Sequence, residues 1–98
     1  MSFAIQNEKG KHLGFLLMVG SDNVGDCIFR SLPSESDGFE CAESELLFNL
    51  QSLGEFNYSR SEELVGITQP GFTDEIIISG NGIEVGGIRL QLVPLENS

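Results

Sequence analysis

His12 is the only histidine of this 98-residue chain, and Cys27 and Cys41 are its only cysteines. A nucleophilic site built on these residue types needs the imidazole within hydrogen-bond reach of a Ser or Cys. His12 follows Lys11 at the expected start of a strand, and nothing in the sequence brings a nucleophile to it. We therefore expect a surface histidine in a turn, and a protein that is not an enzyme.

Metal and phosphate motifs are equally weak. Structural zinc takes about four Cys or His ligands in close pairs, whereas the three candidates here are widely spaced. The turn at residues 22–26 has carboxylates but lacks the alternating acids and final Glu of a calcium loop. The glycines between Gly80 and Gly86 follow G-x-G-x-x-x-G spacing, which a hairpin explains better than a phosphate loop. We expect no metal and no cofactor.

Net charge is the most informative property of the sequence. Fifteen Asp and Glu against five Lys and Arg give a formal charge of −10, with a pI near 4.2. Nucleic acids and anionic membranes attract clustered Lys and Arg, so we expect direct binding of neither. Such an acidic surplus suits a basic protein partner, although it also serves solubility alone.

The acids are concentrated before and within an expected helix. No Lys or Arg occurs between residues 31 and 59, and another acidic turn precedes this segment by one strand. If adjacent strands bring these loops to the same end of the sheet, their carboxylates form one patch. Phe48 points away from the leucines on a helical wheel and is a candidate interface anchor. The predicted partner-binding residues are Asp22, Asp26, Glu35, Asp37, Glu40, Glu43, Glu45 and Phe48.

Alternation of apolar residues with a period of two predicts strands over most of the chain. The expected strands cover residues 3–5, 12–19, 27–32, 55–59, 64–68, 76–78, 83–85 and 88–93. In the second strand both alternating sets are apolar, which predicts that both faces are covered. Gly80 and Asn81 predict a hairpin turn, and Gly86 with Gly87 predicts a bulge or a sharp bend.

Between residues 42 and 53 the apolar period becomes helical. Ala42, Leu46, Leu47, Leu50 and Leu53 fall on one arc of the helix. Glu43 and Glu45 suit its first turn, and Gly54 suits the position after its end. The prediction is one α+β domain over residues 1–98. Its sheet is predominantly antiparallel and curved, with seven or eight short strands that approach a barrel, and one amphipathic helix lies near the middle of the chain.

In size, acidity, low cysteine content and absence of a catalytic motif, the chain resembles the immunity proteins of bacterial contact-dependent and polymorphic toxin systems. The resemblance lies in the overall profile and not in a motif. It implies a cytoplasmic protein that binds a basic cognate toxin domain, typically a nuclease, and blocks its active site. We expect replacement of Glu35, Asp37 and Glu40 by Lys to weaken such inhibition at least tenfold.

Two other interpretations stay open. A phage-type inhibitor that mimics nucleic acid would use the same electrostatics. An accessory or structural interaction protein, such as an assembly subunit or a secretion chaperone, would instead add exposed strand edges to a partner's sheet.

Overall fold

The structure is a computed structural model that describes residues 1–21, 23–32 and 42–95. Its strands are β1 (Ser2–Gln6), β2 (His12–Gly20), β3 (Val24–Ser31), β4 (Glu55–Ser61), β5 (Leu64–Thr68), β6 (Ile76–Ser79), β7 (Gly82–Val85) and β8 (Ile88–Pro94), with helix α1 (Ala42–Ser52) between β3 and β4. The predicted partner-binding residues Asp22, Glu35, Asp37 and Glu40 lie outside the described residues, as does Cys41.

The strands form a closed antiparallel barrel in sequence order. Closure comes from β1, which pairs with β2 on one side and with β8 on the other. The α+β class, the antiparallel curved sheet and the single helix of the sequence prediction are thereby confirmed. Because every described strand is paired along both edges, no edge is left for strand addition to a partner. The hypothesis that an accessory protein adds exposed strand edges to a partner's sheet was therefore wrong.

Tight turns set the register of the hairpins. Gly86 and Gly87 both have positive φ, at 54° and 89°, and they connect the paired residues Val85 and Ile88. Two consecutive residues with positive φ are typical of a type I′ turn, whose twist matches that of the strands it joins. These glycines therefore make a two-residue hairpin turn, one of the forms of sharp bend that the sequence predicted.

The inward side chains fill the barrel with apolar groups. Leu16 and Met18 of β2 face Phe29 and Cys27 of β3, and this layer continues into Phe56. Phe56 makes edge-to-face contacts with Phe29 and with Phe72, at ring-centroid distances of 5.5 and 5.6 Å. This aromatic row runs from the barrel interior to the β5–β6 loop, and Phe72 closes that side of the core.

The outer face of β2 differs from its prediction. The inward residues Leu16 and Met18 are buried, whereas Leu17 is 37% exposed and Val19 is 73% exposed. The prediction of cover on both faces was wrong, because the second apolar set lies on the outside of the barrel and no described element packs on it.

Candidate functional site

Helix α1 lies at one end of the barrel, which we call the helix end. It connects the end of β3 with the start of β4. Leu47 and Leu50 are fully buried in the core, and Leu46 packs against it while half buried. Ala42 and Leu53 are exposed, so the buried arc is narrower than predicted. Burial of two leucines is worth about 3–6 kcal/mol, which is enough to fix a short helix on the barrel.

Hydrogen bonds fix the C-terminal half of the helix. The Gln51 side-chain oxygen accepts a bond from the Ser31 backbone N–H at 2.7 Å. The Gln69 amide donates to the carbonyls of Leu53 and Glu55 at 2.7 and 3.0 Å. Gly54 has a φ of +82°, as its predicted position after the helix requires. The helix is therefore held by both the β3 end and the β5–β6 loop.

Glu45 and Phe48 occupy the outward face of α1. Phe48 is 44% exposed, and Glu45, three residues earlier, is exposed beside it on the same face. The prediction that Phe48 points away from the leucines is confirmed. An exposed aromatic ring next to a carboxylate, on a fixed helix, offers a partner both apolar area and charge.

Several further carboxylates lie at the helix end because antiparallel strands bring alternate loops together. Glu55 begins β4, and Asp74 and Glu75 lie in the β5–β6 loop. That loop touches the β7–β8 turn, where the Gly86 N–H donates to the Glu75 carbonyl at 3.3 Å. We define the helix-end surface as Glu45, Phe48, Glu55, Asp74 and Glu75.

Glu43 has a different environment from Glu45. It is half buried and lines a cleft of about 470 Å³ between the β1–β2 turn and the start of β8. Lys9 and Arg89 line the same cleft. Glu8 lines it as well. Glu43 is half buried and Glu45 is exposed, so Glu45 is the more accessible of the two to a partner.

Asp26 lies apart from the helix carboxylates. The sequence placed it in a turn, but it is the third residue of β3, exposed on the outer face and paired with Asn57. The β2–β3 turn and α1 are at opposite ends of β3, so the condition for a single acidic patch is not met at Asp26. Its nearest acidic neighbour on that face is Glu55, diagonal to it across the β3–β4 ladder.

His12 and Cys27 have structural contacts. The His12 Nε2 is 2.9 Å from the Gly14 carbonyl oxygen, to which it donates, and its ring meets the Phe15 ring edge-on at 4.7 Å.

Cys27 is a free thiol that points into the barrel. Burial, followed by the nearby carboxylates of Asp26 and Glu55, raises its pKa to about 12, so the thiol is protonated and unreactive at neutral pH. Within the described part of the chain, no three His, Cys, Asp or Glu side chains are placed to hold a metal ion.

Two features of the barrel were missed from the sequence. At the end opposite α1, Arg60 follows Phe56 and Tyr58 in the inward alternation of β4 and lines a mouth cavity of about 260 Å³. On the outside, Leu17 and Val19 form part of an exposed apolar face. Both features follow from the alternation of side chains along the strands, because in a barrel one face of each strand points inward and the other points outward.

Comparison of the chain with protein-family models, with curated protein sequences and with solved structures found no match. Among the described residues, no helix is long and apolar enough to cross a membrane.

Proposed function

We propose that the protein is a non-catalytic inhibitor of the immunity type, which binds a basic domain of a cognate toxin and covers its active site. The toxin domain is a nuclease in this proposal, because enzymes that act on nucleic acid carry cations around the catalytic site. One observation carries the proposal: Phe48 is exposed next to Glu45 on a helix that buried leucines hold in place.

Charge would act mainly on association. A chain with net charge −10 attracts a cationic surface over several ångströms, and such steering raises association rates by orders of magnitude at low salt. Glu45, Glu55, Asp74 and Glu75 would meet Lys and Arg of the partner. Exposed charge pairs of this kind are worth about 0–1 kcal/mol each, so they set speed and orientation more than residence time.

Phe48 would mainly determine how slowly the complex dissociates. Aromatic side chains near the centre of an interface cost about 2 kcal/mol or more when truncated, because their burial excludes water from neighbouring polar contacts. The helix requires no reorganisation to present Phe48, since Gln51 and the leucines already fix it. A preformed binding surface reduces the ordering cost of association.

The proposal places the protein in the cytoplasm, where a newly made nuclease would threaten the producing cell. A free, buried Cys27 and the low cysteine content suit a reducing compartment.

The test requires a candidate partner, namely a basic domain encoded by a gene next to that of this chain, purified as a catalytically inactive variant. Binding of the wild type is compared with Phe48→Ala, Glu45→Lys and, as a control, Leu64→Ala, which alters an equally exposed apolar residue on β5. We expect Phe48→Ala to weaken binding at least tenfold, mainly through faster dissociation. Glu45→Lys should slow association, and Leu64→Ala should leave both rates unchanged.

Salt and competitor DNA distinguish an inhibitor of a nucleic-acid-binding partner from an accessory protein. Steered association should slow by roughly tenfold or more between low and physiological ionic strength. A partner that is displaced by duplex DNA binds through its nucleic-acid site, which immunity proteins and nucleic-acid mimics share. Unchanged affinity of a folded Phe48→Ala variant, or binding that ignores salt, contradicts the proposal.

A further inference from the structure

The outer face of β2 is apolar along its middle. Phe15, Leu17 and Val19 alternate outward on β2, and Leu17 and Val19 are 37% and 73% exposed. Ile28 of β3 is paired with Leu17 and is half buried beside it. An exposed strip of large aliphatic residues on a strand is typical of a surface that is covered by a partner.

The strip continues across neighbouring strands. Three rows are defined by the strand register: Val93, Ala4, Phe15 and Arg30; then Ser2, Leu17 and Ile28; then Val19 and Asp26. We call these residues the β2 face. Its two charges lie at opposite ends, with Arg30 in the first row and Asp26 in the third, four residues apart on β3.

This arrangement is self-complementary. A two-fold axis along the middle row places a second copy face to face with reversed strand direction. Leu17 then meets the Leu17 of the other copy, and Ile28 meets the Ile28 of the other copy. Phe15 opposes Val19 of the other copy, and Arg30 opposes Asp26 of the other copy, twice by symmetry. A two-fold interface requires such reciprocal matching.

We propose that the β2 face binds a second copy of this chain in a symmetric, face-to-face dimer. The occupant is a second copy because the apolar middle row and the reciprocal Arg30–Asp26 pairs complement each other under one rotation. Net charge opposes association of two acidic chains. Asp26 is the only acid on the outer faces of the described parts of β8, β1, β2 and β3. Glu55 of β4, however, is exposed and paired with Ile28 at the edge of the middle row. The same rotation brings Glu55 near its own copy, and this repulsion further weakens the dimer.

The size of the face predicts a weak dimer. Four strands about 4.8 Å apart and five residues of about 3.3 Å each give a flat area of about 300 Å². Stable interfaces bury about 800 Å² per partner. Packed sheets also cross at about 30°, which separates the corners of the face. We therefore expect a dissociation constant of about 10 μM to 1 mM, and a dimer that exchanges rapidly.

Sedimentation equilibrium of the whole chain from 10 μM to 2 mM tests the proposal. We expect the average mass to rise from 10.7 kDa toward twice that value. Val19→Glu should abolish the rise. Leu64→Glu, at a residue that is 46% exposed on β5 outside the β2 face, is the matched control and should leave it unchanged.

Charge exchange tests the two-fold geometry. Arg30→Asp and Asp26→Arg each place like charges opposite one another and should weaken dimerisation at least threefold. The double variant restores opposite charges across the axis and should recover wild-type association. Helix-end binding is tested with different residues, so failure here leaves the proposed function standing. A monomer at 2 mM, a dimer that tolerates Val19→Glu, or no recovery in the double variant overturns the proposal.

Discussion

Leu47 occupies the space that a side chain on Gly14 would need. A Cβ atom on Gly14 would lie 2.6 Å from the Leu47 Cδ2 atom, and it would also meet the Arg30 carbonyl oxygen. Gly14 faces into the barrel on β2, and Leu47 comes from α1 above it. The missing side chain in β2 is therefore what allows the helix to sit against the barrel end.

Gly14→Ala should consequently destabilise the domain by about 2–3 kcal/mol, because both the backbone of β3 and a buried leucine would have to move. Urea unfolding monitored by circular dichroism measures the change. Gly66→Ala is the control, since a Cβ at Gly66 has no atom within 4 Å. We expect that variant to lie within about 0.5 kcal/mol of the wild type.

The hairpin pattern of the chain was readable because it is local. Period-two alternation and the Gly86-Gly87 turn are determined by neighbouring residues, and the predicted β5 bounds at Leu64 and Thr68 match the structure. Closure was not readable in detail, since the pairing of β1 with β8 joins residues about ninety positions apart. Strand pairing over such separations depends on the whole fold rather than on local sequence.

Asp26 shows why the candidate site was only partly predictable. Gly25 followed by Asp26 has turn composition, yet both belong to β3. Gly25 is required there by packing: a Cβ would lie 2.7 Å from the Tyr58 ring. A glycine selected for a close aromatic contact has the same local sequence signature as a turn glycine. Phe48, by contrast, was predictable because its exposure follows from helical periodicity alone.

Tyr58→Phe should destabilise the barrel by about 1 kcal/mol. The Tyr58 hydroxyl donates to the Ser21 carbonyl at 2.6 Å, and this bond connects β4 with the β2–β3 turn. Phe keeps the ring over Gly25 and removes only that bond. Hydrogen exchange of the Val24 amide should accelerate in parallel.

Ser21→Ala is the comparison for that experiment. It leaves the Ser21 carbonyl in place and removes exposed hydroxyl contacts with Val24. Its cost should be no more than about 0.5 kcal/mol. A cost of Tyr58→Phe that is also below about 0.5 kcal/mol would show that the Tyr58 bond contributes little to folding.

Cys27 should make stability fall at high pH. Its pKa in the folded protein is about 12, against an ordinary value of 9.0. Between these values the folded state keeps a proton that the unfolded state releases, so the free energy of unfolding falls as pH rises. The slope approaches at most about 1.4 kcal/mol per pH unit.

Cys27→Ala removes this titration while Lys and Tyr continue to ionise. Unfolding free energies of the two proteins at pH 7.5, 9.5 and 10.5 should therefore converge as pH increases. A constant difference across that range would mean that the Cys27 thiol titrates equally in both states.

Glu62 carries backbone strain that glycine should relieve. It is the one non-glycine residue with positive φ in the described part of the chain, at 53°, and it lies in the β4–β5 hairpin beside Glu63. The left-handed conformation costs a residue with a side chain about 1 kcal/mol or more, whereas glycine adopts it freely. Glycine also adds about 0.5–1 kcal/mol of unfolded-state entropy. Glu62→Gly should thus be neutral or stabilising by up to about 1 kcal/mol, whereas Glu63→Gly incurs only the entropic cost.

Because both variants remove one carboxylate from the same turn, the difference between their unfolding free energies isolates the strain. Equal stabilities would show that Glu62 adopts this conformation without strain.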